Sequence, residues 1–323
     1  MNVLIRIDEK TSNPIMVVNL VDPTNDIGHI SALVHQSFQV LDSTTTVHIK
    51  SDYLLDYRAQ RTQVKYDNGM LVEAIMPSID LLNVHDIEGK PFFLLTGCEP
   101  DYRWEEFSEA VLDVAQTCGV KTLYFIGSLA APVPHTRKPD MLVRSKNMEE
   151  VAPPIETTVW FQASFADYLE YRAGKRGFGT VALTMRVPMY IAGFRHAMGA
   201  VSALRMLSTV SGLSLPLGDL EALAREDTER INATLQEDED MQELVSNMEK
   251  QYDAQGVEPG LVSPPDSQII VPTTEEIGQA AEAFLARVEE SQRREKSKSK
   301  EIHGFTSMYD AQGNPKRGRR AAE

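Results

Sequence analysis

Short apolar runs alternate with amphipathic stretches through the first two thirds of the chain. Ile15-Met16-Val17-Val18-Asn19-Leu20-Val21 is apolar at nearly every position, as a strand covered on both faces requires. A polar turn over residues 22–26 follows, and residues 27–41 read as a helix. Residues 45–49 and 71–76 are β-rich, with Asp67-Asn68-Gly69 supplying turn chemistry between them, and residues 79–84 read as a further strand. The clearest unit spans residues 92–127. Phe92-Phe93-Leu94-Leu95-Thr96 is a covered strand and residues 97–101 are a turn, with Asp101 placed to cap a helix. In that helix Trp104, Phe107, Val111, Val114, Ala115 and Cys118 make one stripe at helical spacing. Gly119 ends it, and Thr122-Leu123-Tyr124-Phe125-Ile126 is the next strand. A βαβ unit of this kind demands parallel strands joined by a right-handed crossover. The rhythm recurs with a helix over 160–171, a strand over 179–184 and a helix over 194–211 that Gly212 stops. Strands and helices in alternation predict a three-layer α/β domain.

After Leu217 the character changes. Residues 219–253 are acidic, almost free of Gly and Pro, and read as two helices, the second with a Met241, Leu244, Val245, Met248 stripe. Pro259, Gly260, Pro264 and Pro265 mark a linker. Residues 274–294 form an amphipathic helical pattern, and the Lys/Ser- and Gly/Arg-rich end reads as a disordered tail. The expected organisation is an α/β domain over 1–217, an acidic helical appendage over 218–253, a linker over 254–273, a helix over 274–294 and a basic tail over 295–323.

Composition narrows the function classes. Hydrophobic residues make up 42% of the 323, enough for a substantial core. The net charge is −15, yet residues 291–323 hold nine Lys/Arg against four Asp/Glu, a net +5, so the rest carries −20. An acidic body disfavours nucleic-acid binding. No apolar run reaches the roughly 18 residues of a membrane span, and the N-terminus turns charged too early for a secretory leader. Two cysteines, Cys98 and Cys118, offer no disulfide framework, and the cytoplasm is the expected compartment.

Candidate chemistry gathers at the carboxyl ends of strands, where α/β folds hold ligands. Glu99 and Asp101 follow the strand at 92–96, with Arg103 beside them; the same residues also suit a turn and a helix cap. Pro132-Val133-Pro134-His135-Thr136-Arg137 follows the strand at 122–126, with Arg137 as a fork donor and His135 as a titrating group. A stiff structural or subunit-contact loop is the other reading. Asn25 and Asp26 end the first strand, to line the same crevice or to cap the next helix. The two later loops are expected to converge on that crevice. Gly174-Lys175-Arg176-Gly177-Phe178-Gly179 lies between a helix and a strand, the wrong end for a phosphate cradle. The cysteines and seven histidines show no metal-ligand spacing, and no nucleophile elbow, zinc-protease or Walker motif is present. No cofactor, no metal and no catalytic residue are expected.

Three segments together resemble the proteasome assembly chaperone family, in its bacterial branch. They are Asp56-Tyr57-Arg58-Ala59-Gln60-Arg61, residues 94–104 with Thr96-Gly97-Cys98-Glu99-Pro100, and residues 127–137 with Pro134-His135-Thr136-Arg137. The acidic helices look like that branch's helical appendage. The resemblance implies a phosphorylase/hydrolase-like α/β fold with a mixed, mostly parallel sheet. It also implies a protein-binding, chaperone-like assembly role, with proteasome subunits as candidate partners, and a homo-oligomer, a trimer favoured. It brings no catalytic residues. Where family members carry a later Pro-His-Tyr, this chain has Pro188-Met189-Tyr190. The competing reading is an enzyme of the same fold acting on a small anionic or nucleoside-like ligand.

Overall fold

The covered strands take the centre of the structure. The computed structural model describes residues 5–7, 13–22, 25–148, 151, 158, 160–236, 238–255 and 261–262. The first half runs β1 (Ile5–Ile7), β2 (Ile15–Val21), α1 (Ile30–Phe38), β3 (Ser43–Ile49), β4 (Gln63–Asp67), β5 (Met70–Ile75), β6 (Ile79–His85) and β7 (Pro91–Cys98). The second runs α2 (Trp104–Thr117), β8 (Thr122–Ala131), β9 (Met141–Lys146), α3 (Phe165–Lys175), β10 (Gly179–Pro188), α4 (Ala197–Ser211), α5 (Leu220–Gln236), α6 (Glu239–Gln255) and β11 (Leu261–Val262). Nine strands form one mixed sheet in the order β1-β3-β6-β7-β2-β8-β10-β9-β11, and β4 with β5 makes a separate ribbon. The central strands β7, β2, β8 and β10 are parallel, and both flanks are antiparallel.

Two cores follow from the two-residue period of the strands. Val17 of β2, Leu94 of β7 and Leu183 of β10 face α1 and α4, while Met16, Val18, Phe93 and Ala182 face α2 and α3. This is the expected three-layer α/β arrangement, followed by a helical region. Among the described residues no helix is long and apolar enough to cross a membrane. The chain divides into two compact units, Met1–Pro265 and Asp266–Glu323, and the described residues all lie in the first. The expected helix at 274–294 and the basic tail lie outside the described residues.

Boundaries moved where side chains outbid periodicity. The helix expected from 160 starts at Phe165, because Ser164 accepts from the Asp167 backbone N–H while Asp167 accepts from that of Ser164, a reciprocal capping box. The helix expected from 194 starts at Ala197. Strands β1, β4, β9 and β11 lack a sequence signal strong enough to read; β4, for instance, is exposed throughout. Asp101 does not cap α2. Its carboxylate accepts instead from the Asp56 backbone N–H at 2.7 Å and from Gln60 Nε2 at 3.1 Å, and Arg103 occupies the N-cap position.

The helical arm is joined to the α/β body through Asp227 of α5, which is 2% exposed. Its carboxylate accepts from the Ala197 backbone N–H at 3.1 Å, capping α4, and from both Nε and Nη2 of Arg195, the shortest at 2.7 Å. Arg230 adds a third donor at 2.9 Å. Around it Leu220, Ala224 and Ile231 enter the core beneath α4. A buried carboxylate removed from such a set leaves a helix end without its acceptor and Arg195 with only the longer contact to Glu226 at 3.8 Å. Asp227→Ala is expected to lower the unfolding free energy by about 3 kcal/mol in urea denaturation; a loss below about 1 kcal/mol, the level of an exposed pair, contradicts this assignment.

Candidate functional site

At the carboxyl ends of the parallel strands lies a crevice of about 510 Å³. Asp22 and Asn25 enter it after β2, Glu99 after β7, and Gly127 and Ser128 along β8; Arg144 and Thr184 close one side from β9 and β10. Two helix N-termini point at this region, and the chain fills both with its own carboxylates. Asp26 accepts from the backbone N–H groups of Ser31 at 2.8 Å and Ala32 at 3.0 Å, the first turn of α1. Glu99 accepts from the Phe165 N–H, the first residue of α3. Donors that elsewhere hold phosphates are therefore occupied.

Five carboxylates line the crevice, Asp22, Asp26, Glu99, Asp167 and Glu170, against the single arginine Arg144. Arg144 is already engaged by Glu170 at 2.8 Å and Asp167 at 3.4 Å. Burial pushes the Glu99 carboxyl up from 4.5 to about 7; the Phe165 N–H opposes the shift and the neighbouring Asp22 and Asp167 charges add to it. Asp26 is also raised by burial, against the pull of the Ala32 and Ser31 N–H groups. The charged groups of the lining are thus predominantly acidic, and its one arginine is already paired.

The turn carrying Glu99 is fixed from below. Gly97 has φ +104°, and any Cβ there would collide with the Ser78 carbonyl, so only glycine fits. Gln60 donates to the Glu99 carbonyl at 2.7 Å, and Tyr102 donates to Asp56 at 3.2 Å. Segments 56–61 and 94–104, remote in sequence, are thus one interlocked unit. Arg103 faces away from the crevice, bonded to Glu106 at 3.3 Å and placed over the Tyr53 ring at 5.4 Å.

The Pro-His-Thr-Arg loop goes elsewhere. Because β8 pairs with β10 to its last residue, Ala131 opposite Pro188, the chain leaves the sheet beside Tyr190 rather than over β7. The His135 backbone N–H donates to Tyr190 Oη at 2.7 Å, and its ring lies between that oxygen and Asn232 Oδ1 of α5. Thr136 donates to Glu249 of α6. Arg137 grips Asp253 with Nε and Nη2 at 2.9 and 2.8 Å and reaches Glu249 at 3.2 Å, which holds the Asp253 carboxyl below its ordinary value. His135 and Arg137 line a separate cavity of only about 10 Å³.

The structure therefore brings Asn25, Asp26 and Glu99 to one crevice and places His135, Thr136 and Arg137 at the helical arm, while Asp101 and Arg103 line neither cavity. Sequence reasoning missed Asp22, Asp167, Glu170 and Arg144. The Ser164/Asp167 capping pattern was readable; Arg144 sits on β9, a strand too weakly patterned to find. No group of three or more His, Cys, Asp or Glu among the described residues is arranged to hold a metal ion.

Glu99 generates a pH signature. Its folded pKa lies above its unfolded value, so its protonated form favours the fold, and that contribution is lost as pH rises from 4.5 through about 7. Glu99→Gln, which keeps the acceptor for Phe165, is expected to match the wild-type melting temperature near pH 4.5 and to exceed it by a margin that grows up to about pH 7 and stays level above it. Parallel thermal-denaturation profiles for the two proteins would remove the strained carboxylate from this account.

Comparison with known proteins agrees with the motif reading. None of the curated proteins matches the chain. Among solved structures it is similar to Rv2714, a Mycobacterium tuberculosis protein of unknown function, at 28% identity and TM-score 0.71, covering 78% of this chain and 89% of that one. A Corynebacterium glutamicum protein of unknown function is similar at 24% identity and TM-score 0.73, covering 78% and 97%. The Mycobacterium tuberculosis proteasome-assembly chaperone homologue Rv2125 shares the fold at 22% identity and TM-score 0.60, covering 72% and 99%. The PAC2 family matches residues 20–235, and with two thirds of its length inside that match the chain belongs to the PAC2 family.

Proposed function

We propose that this protein is a protein-binding, chaperone-like assembly factor that acts as a homo-oligomer, with proteasome subunits as its candidate partners. The observation that carries the reading is the acidic arm. Residues 219–253 hold twelve Asp/Glu against three Lys/Arg. Some of these carboxylates bind internally, but Glu229, Asp238, Glu239, Asp240 and Glu243 are exposed along α5 and α6. The Pro-His-Thr-Arg loop holds α5 and α6 in place, so this acidic surface is presented on a fixed frame, which favours docking of a basic protein surface. Membership of the PAC2 family supports the same reading, and a structural neighbour described as a proteasome-assembly chaperone homologue supplies the proteasome as the candidate.

The competing reading, an enzyme for a small anionic or nucleoside-like ligand, finds no support in the crevice. Its lining is five carboxylates with one arginine already paired.

Affinity capture from native lysate of the source cells, followed by mass spectrometry, tests the proposal. Proteasome subunits are expected with the wild-type chain at low salt, less of them at high salt, and fewer still with the Glu239→Lys/Glu243→Lys variant, since exposed charges act within about one Debye length. Capture that never recovers a proteasome subunit removes the proteasome from the proposal; capture indifferent to both salt and charge reversal removes the acidic arm.

A further inference from the structure

Beside α1 the sheet opens into a groove. α1 packs chiefly on β2 and β8, which leaves room over the same face of β6 and β7, further out in the sheet. Across these two strands Leu82 pairs with Leu94 and Asp80 with Thr96, and all four residues line a cavity of about 800 Å³. Phe38 of α1, Val84 of β6, and Ile75 and Met76 at the end of β5 complete its apolar wall. The volume falls within the roughly 300–1,000 Å³ of small-molecule pockets, which join apolar walls to a few placed polar groups.

The polar groups here fall into two sets, and the first is satisfied from within. His35 Nδ1 meets Thr96 Oγ1 at 2.8 Å, and His35 Nε2 meets Gln39 Nε2 at 3.1 Å. Burial pushes the His35 imidazole below its ordinary value, against the pull of the Asp80 charge, so the ring is neutral at pH 7. Asp80, the one carboxylate of the wall, accepts from the Ser78 hydroxyl at 2.6 Å.

The second set, Gln60 and Arg61, is left open. Gln60 is 9% exposed, and its Nε2 is spent on the Glu99 carbonyl and on Asp101. Its Oε1 has no hydrogen-bond partner. Buried acceptors are nearly always paired, so this one marks a place for a donor. Arg61 is the one cationic residue of the wall, and its guanidinium makes no ion pair with a described residue. A free guanidinium fork matches a carboxylate. An apolar trough that ends in an open acceptor and an open fork donor, on consecutive residues, describes its ligand. The ligand has an apolar chain, then an N–H, then a carboxylate. Phosphate and nucleosides lack the chain that the wall would cover.

We propose that this groove binds an amphipathic N-acyl amino acid, with its chain along Phe38, Leu82 and Leu94, its amide N–H at Gln60 Oε1 and its carboxylate at Arg61. The inference adds a small-molecule ligand and does not rest on the assembly role. Isothermal titration calorimetry of the full chain with N-dodecanoylglycine, kept below its micelle concentration, is the test. One molecule per chain is expected. N-dodecanoylglycinamide, which lacks the charge, should bind about tenfold more weakly, and dodecanoate, which lacks the N–H, about fivefold more weakly. Arg61→Gln, at an exposed position, should weaken the acid about tenfold and leave the glycinamide unchanged. Leu82→Trp, which fills the groove, should abolish binding of all three. If that variant misfolds by circular dichroism, hydrogen exchange of the wild type decides: the compound should protect residues 59–63 and 75–78, and protection elsewhere alone overturns the site. The proposal also fails if the wild type binds nothing, if acid and glycinamide bind alike, or if several molecules bind per chain regardless of Leu82→Trp. Binding that weakens at higher chain concentration, as the mass by light scattering rises, gives the groove to a second copy and overturns the proposal too.

Discussion

A buried carboxylate ties the helical arm of this protein to its α/β body. Asp227 lies on α5, yet it satisfies the N-terminus of α4 and holds Arg195 and Arg230 together. A helix end buried under another helix requires an acceptor, and here the acceptor comes from the arm rather than from the helix's own sequence. The α/β body is thus completed by the arm. The Pro-His-Thr-Arg loop makes a second tie from the opposite direction, through Arg137 to Asp253 and Glu249. Between them these two sets of ion pairs fix α5 and α6 against the sheet, and the proposed docking surface depends on that fixation.

The same device recurs at the crevice with a different consequence. In many α/β proteins the helix N-termini at the carboxyl ends of parallel strands are left open, and anions bind there. In this chain Asp26 and Glu99 occupy those donors from within. The charged lining is predominantly acidic, and Glu99 is driven up to about 7 by its burial near other carboxylates. The donors this kind of fold often offers to anionic ligands are here taken by the chain's own carboxylates, which is a physical reason to separate its fold from the chemistry that fold often carries.

Much of the architecture was legible because its signals are local. The apolar run of β2, the stripe Trp104 to Cys118 on α2 and the glycines after α2 and α4 each follow from periodicity and turn chemistry, and the structure has those elements. The exposed ribbon strand β4 and the strand β9, next to the sheet's edge, escaped because their pattern is set by neighbours rather than by a buried face. At the site, Asn25, Asp26 and Glu99 were readable as strand-end residues sharing a crevice. Where His135 and Arg137 go was not readable, since it depends on how far β8 stays paired with β10 and on carboxylates more than a hundred residues downstream. Asp101 was placed correctly at a turn, but its partners Asp56 and Gln60 come from a segment forty residues earlier, beyond the reach of any capping rule.

An acidic crevice whose helix N-termini are filled from within is expected to hold no anion, which leaves binding to the protein's surfaces. The most direct measurement is a thermal-shift screen of the full chain against inorganic phosphate, nucleosides and nucleotides at neutral pH, with Glu99→Gln in parallel. No stabilisation of either protein by any of these compounds is expected. A phosphate or nucleotide that raises the melting temperature of the wild type, and raises it further once the Glu99 charge is removed, would locate an anion in the crevice and contradict the account.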